Sequence, residues 1–324
     1  MKKQKIRFYA ALLCSSMVFS LVSTPVSAAE TGQLTNPPTS TEELSSPESI
    51  SGNEAASALN GLSVLAANGE AEVTTASELT GALADSSISR ITLKGDIDIG
   101  STLTVNRTVT LDLNGCVLKM TGSDSVIKVE ADGDLTIQDR NTTTQHKFNP
   151  HCKYQFWYID MWELDNGGSE IVSGGVITGG GGDQSNGGGV LVAGGTLVMA
   201  GGSIVGCSAM SRGGGVCNNG TFIMSDGMIK GCTCPDGQYA SGGGVRNSNQ
   251  FTMTGGMIGD PDNENDASHV YNTSSQETTL TISGNAKIYT DITNVGILNA
   301  DGGEIAGTMT NDTNRYGNRV GGGD

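Results

Sequence analysis

The chain has 324 residues and a formal charge of −16, with 34 acidic residues against 18 basic ones. Phosphate recognition needs clustered Lys and Arg, so this balance excludes nucleic acid as a partner. After the N-terminus no stretch approaches the roughly 18 consecutive apolar residues of a membrane span.

In chain order, Lys2, Lys3, Lys5 and Arg7 form a basic start, and an apolar run follows from Phe8 to Val22. Val26-Ser27-Ala28 then offers a small-residue cleavage site. Residues 1–28 therefore carry the pattern of a secretory signal peptide, too short and too broken by serines to anchor in a bilayer. Removing Lys2, Lys3, Lys5 and Arg7 with no acid takes the formal charge from −16 to −20. The expected location is extracellular, as a secreted or cell-surface protein. Cys116, Cys152, Cys207, Cys217, Cys232 and Cys234 remain, an even set that permits disulfides outside the cell. Residues 29–70, with "TNPPTSTEELSSPES", hold too little apolar surface to offset chain entropy and are expected to form a disordered Ser/Thr/Pro/Glu-rich linker.

At residue 71 the pattern changes. "TTASELTGALADS" offers Ser77 as an N-cap and sets Leu79, Ala82 and Leu83 on one face of a short helix. Short alternating stretches follow: Ile91 and Leu93, Ile97 and Ile99, Leu103 and Val105, Val109 and Leu111, Leu135 and Ile137. Two-residue alternation broken by Gly, Asn and Asp predicts strands of a few residues each, hence an all-β chain.

From Gly187 onward the strands repeat in phase. Gly-Gly-Gly-Val stands at 187–190, 213–216 and 242–245. It precedes the pairs Leu197/Met199, Phe222/Met224, Phe251/Met253 and Leu280/Ile282. A third element recurs at Ile177, Ile204, Ile229, Ile258 and Ile288. A period of about 25 to 30 residues with three strand phases predicts a solenoid whose coil turns three times per lap. Equivalent strands then stack about 4.8 Å apart as parallel sheet. The glycine triplets are expected at a corner, where positive φ or close backbone approach is needed. Asn218, Asn247, Asn272 and Asn299 each follow a strand-opening apolar residue by two, and are expected to form a structural amide ladder.

"ASELTGAL", "VTLDLNG", "LTIQD" and "GGVITGG…GGGV…GTFIMSDGMI" resemble secreted bacterial proteins of the pectate-lyase-like superfamily, adhesin-like surface members in particular. The GGGV and FxM phrases are also similar to repeats of chlamydial polymorphic outer-membrane proteins. The resemblance spans about residues 71–310 and implies a right-handed parallel β-helix. The resulting domain reading is a signal over 1–28, a linker over 29–70, a β-helix with a short N-terminal capping helix over 71–310, and a Gly-rich tail over 311–324. Within the coil, residues 141–166 interrupt the repeat as an aromatic insertion.

The coil carries many functions, so function has to come from sites. A lyase would need stacked carboxylates for calcium and a nearby basic residue, yet Asp226 and Asp301 stand isolated and Arg212, Lys230 and Arg246 have no companion one lap away. Paired carboxylates for a glycoside hydrolase are not evident either. The expectation is a non-catalytic adhesin-like protein that contacts a glycan or a surface protein, with a polysaccharide lyase or glycoside hydrolase as the alternative. Phe156, Trp157, Tyr158 and Trp162 offer a sugar-stacking platform, or else a cover packed on one side of the coil. Asp260, Asp262, Glu264 and Asp266 fall at every second position of an acidic turn and form a weak Ca²⁺ candidate, because the glycine of an EF-hand loop is missing. No other cofactor is implied. Cys207 and Cys232 both close "I-x-G-C" one lap apart, within reach of a disulfide or else stacked as free thiols, and Cys234 two residues on is a rival partner.

Overall fold

Apolar side chains at every second position bury one side of each short strand, and the strands stack lap upon lap as a parallel β-helix. The computed structural model describes residues 69–154, 159–181, 186–234, 242–263, 266–273, 277–311 and 320–321. The expected signal, the linker up to residue 68 and most of the tail lie outside the described residues. Among the described residues no helix is long and apolar enough to cross a membrane.

Each lap visits three faces. The first face runs through Glu70–Val73, Arg90–Leu93, Thr108–Asp112 and Asp134–Gln138, then 196–199, 221–224, Gln250–Met253 and 279–282. The second takes Ile97–Ile99, Val117–Met120 and Val176–Thr178, then 203–205, 228–230, Met257–Ile258 and 287–288. The third is an 8-stranded parallel sheet from Leu103–Val105 to Met309–Asn311. The phases expected from sequence are in register: Leu197 pairs with Phe222, Phe222 with Phe251 and Phe251 with Leu280. Ile177, Ile204, Ile229, Ile258 and Ile288 line up likewise.

These inward side chains form one continuous core along the axis. Phe222 and Phe251 stack with ring centroids 4.5 Å apart and planes inclined by 10°. No lap could bury such surface alone, because each apolar layer is roofed by the next lap.

The glycine triplets do lie at a corner, the entry to the third face. The first glycine of two successive triplets, Gly213 and Gly242, has φ of +59° and +70°. That left-handed conformation disfavours any residue with a Cβ. The second glycine is there for space: a Cβ on Gly214 would meet the Thr233 carbonyl oxygen and stand 2.6 Å from that of Gly243.

The helix spans Ala76–Ala84 and buries Leu79 and Ala82 over the first laps. Its N-cap is Thr75, two residues before the expected Ser77. Glu78 decides this, because its carboxylate accepts from the Thr75 backbone N–H while the Thr75 hydroxyl accepts from the Glu78 N–H, a reciprocal capping box. At the other end Arg107 donates to the carbonyls of Ala82 and Leu83 at 2.9 and 3.0 Å, serving groups that the helix itself leaves unpaired.

Between the first and second faces of the lap that starts at Asp134, the chain leaves the coil. Gln145–Tyr154 pairs antiparallel with Ile159–Leu164 on one side and Glu170–Ser173 on the other. This three-stranded sheet covers the outside of the second face. Phe148, Trp162 and Val172 from the sheet pack on Val176 and Val205 from the coil, giving a second, smaller core.

Candidate adhesive surfaces

The aromatic insertion is partly a cover. Phe156, Trp157 and Tyr158 lie outside the described residues. Trp162 is wholly buried, which removes it from any exposed sugar platform. It faces the coil, and its ring packs 6.4 Å from that of Phe148. The Lys230 ammonium stands 4.2 Å from the ring centroid on the second face. A Cβ on Gly231 would run into the indole, so that glycine provides the seat. The indole N–H has no acceptor among the described residues. Beside it lies a cleft of about 340 Å³, bordered by Lys119, Thr121, Glu163, Leu164 and Thr178.

The acidic turn is drawn into the same clasp rather than converging on a cation. Asp260 is buried and pairs with Lys230 at 3.4 Å, so Lys230 does have a partner one lap on. Asp266 is also buried and accepts from the backbone N–H groups of Gly231 at 3.2 Å and Ser268 at 2.9 Å. Burial raises the Asp266 pKa, and the Ser268 and Gly231 donors only partly offset it. Asp262 points to solvent and Glu264 lies outside the described residues. Among the described residues no three His, Cys, Asp or Glu side chains group to hold a metal ion. At Asp260 and Asp266 protein donors already engage the carboxylates.

Where the third face turns into the first, the amides form a ladder. Asn218 donates to Asn247 at 2.7 Å, Asn247 to Asn272 at 2.8 Å and Asn272 to Asn294 at 2.7 Å. Asn294 continues it to Asn311 at 3.0 Å. Asn299 is not a rung: it lies exposed on the first face, opposite Thr281. The reason is that the laps shorten. Successive rungs are separated by 29, 25, 22 and 17 residues, so the phase assumed from earlier laps overshoots to Asn299.

Cys207 and Cys232 stack one lap apart as buried free thiols, not as a disulfide. Both join the apolar core, and Cys232 Sγ lies 3.7 Å from the Ile204 carbonyl oxygen. Burial, with the neighbouring Cys207 thiol, pushes the Cys232 pKa well up.

The first face presents a regular outer surface. Two columns of side chains point outward from it. One carries Thr196, Thr221, Gln250 and Thr279, and the other Val198, Ile223, Thr252 and Thr281. All are half-buried or exposed. From these laps to Ile297 and Asn299 neither column holds a charge, although the molecule has 34 acidic residues. Rungs repeat at about 4.8 Å, and the columns stand about 7 Å apart. Sequence reading missed this field because only the inward residues were followed; its sign was an uncharged residue on each side of the inward one: Thr196 and Val198, Thr221 and Ile223, Gln250 and Thr252, Thr279 and Thr281. At the laps of Ala200 and Asp226 the field is bordered by a cavity of about 210 Å³ that also touches Asp139, Thr142 and Ser173. Asp139 is spent on the backbone N–H groups of Gly115 at 2.7 Å and Gly175 at 2.8 Å.

Residues 70–178 match a family described as "Putative pectate lyase-like adhesive domain". The match runs from the first strand through the insertion to the second-face strand Val176–Thr178. No curated protein and no solved structure matches the chain.

Proposed function

We propose that this chain is an exported, non-catalytic adhesive rod, secreted or held at the cell surface, that contacts a glycan or a partner surface. The uncharged first-face field carries this reading: a stiff coil sets hydroxyl and methyl groups in fixed columns, in a form suited to contact over an extended surface. Similarity of residues 70–178 to an adhesive domain supports it. Export rests on the basic start, the apolar run and Val26-Ser27-Ala28. The test is to incubate the purified protein with pectin, alginate and an array of glycans and surface proteins. Retention without new reducing ends or unsaturated products is the expected result, and turnover of any of them overturns the non-catalytic reading.

A further inference from the structure

We infer that the first-face field binds a neutral, extended polysaccharide lying along the coil axis, an inference that rests on the adhesive reading above and names its ligand. Three observations lead there.

The first is charge. The columns from Thr196 to Thr279 and from Val198 to Thr281 carry none, on a molecule of formal charge −16. A polyanion would be repelled by the molecule as a whole, and a polycation would be drawn to the carboxylates elsewhere. A neutral chain is the class that meets neither effect.

The second is chemistry. Threonine offers one hydroxyl that both donates and accepts, next to a methyl group. A pyranose ring likewise carries hydroxyls at its rim and C–H groups on its faces. Thr221, Thr252, Thr279, Thr281 and Gln250 can hydrogen-bond the rim, while Val198 and Ile223 provide apolar contact. The backbone that carries these groups needs no reorganisation, because each strand is paired with its neighbours on both sides.

The third is length. Rungs repeat at about 4.8 Å, and the five laps from Thr196 to Ile297 span about 19 Å. One rung is close to the length of one sugar unit in an extended β-linked glycan. Each successive unit therefore meets one pair of outward, uncharged side chains, from Thr196 and Val198 to Ile297 and Asn299, and the contacts add along the chain.

The experiment titrates the purified full chain with linear β-1,4-linked gluco- and manno-oligosaccharides, from disaccharide to octasaccharide, by calorimetry. Affinity should climb several-fold with each unit up to about four or five and then level off, with little change when salt is raised toward 1 M, since no ion pair is involved. The double variant T252V/T281V keeps the methyl groups and the strand preference but removes two hydroxyls, and should weaken binding at least tenfold with an unchanged melting temperature. T110V, outside the field, should bind as the parent does. Length-independent binding, strong salt dependence, or full affinity in T252V/T281V would each overturn the assignment. Retention on another glycan or protein without binding to these oligosaccharides overturns this inference and leaves the adhesive reading standing. Retention on nothing sinks both.

Discussion

Asp266 shows how one carboxylate can be structural and still cost stability. It holds the Gly231 and Ser268 N–H groups in the clasp under Trp162, but burial raises its pKa above the ordinary 3.8. The folded state therefore binds its proton more tightly than the unfolded state does. This group's contribution to stability falls as pH rises from the ordinary carboxylate value through the raised one, and is constant above it. Asp266→Asn keeps an oxygen acceptor for both N–H groups and removes the charge. Thermal melts between about pH 4 and pH 8 should show the variant gaining on the parent as pH rises. Parallel curves would mean that Asp266 is ionised at no cost. The thiols belong to the same scale: Cys207 and Cys232 are buried, and burial pushes Cys232 well up. They should resist alkylation at mildly alkaline pH until the coil opens, as read by mass spectrometry before and after denaturant. Prompt labelling in the native state would contradict that burial.

The element that locks lap to lap is the amide ladder. Asn247 donates to Asn272 and to the Thr279 carbonyl, and accepts from Asn218 and the Asn249 N–H. Asn247→Ala leaves buried partners unpaired above and below and should cost about 2–4 kcal/mol in denaturant unfolding. Asn299→Ala, on the exposed first face, should stay within about 0.5 kcal/mol. Equal costs would remove the ladder as a stabilising element. The comparison also shows where sequence reading is strong and where it slips. Asn218, Asn247 and Asn272 were legible because the laps joining them have similar lengths. Asn294 was not, since identifying the rung requires knowing that the lap has shortened to 22 residues. The insertion is a similar case. Its aromatic content marked it as distinct, but whether Trp162 faces solvent or the coil depends on Gly206, Gly231 and Lys230, which lie 44 to 69 positions along the chain.

At the scale of the molecule, stability is shared between neighbouring laps, and the contact surface is their sum. Phe222 stacks on Phe251 in the middle of the core. Phe222→Ala should cost about 3–5 kcal/mol. Because it weakens the junction between laps, it should also separate the unfolding curve followed by tryptophan fluorescence, which reports the insertion, from that followed by strand circular dichroism. Coincident curves would mean that the coil unfolds as one unit even with that junction weakened. The same stacking gives the outer columns their spacing, so the adhesive face is only as regular as the core beneath it.

By itself the amino-acid sequence determined the parallel coil, its three strand phases, the inward residues and the glycine corners. Each of these follows from local rules: alternation along a strand, and backbone that only glycine adopts without strain. Tertiary structure alone decided that Trp162 is covered, that Lys230 meets Asp260, that Cys207 and Cys232 stay unbonded, and that outward threonines form one uncharged field. Those outcomes depend on which lap lies above which, and a lap's length is set by turns whose geometry leaves no periodic mark in the chain.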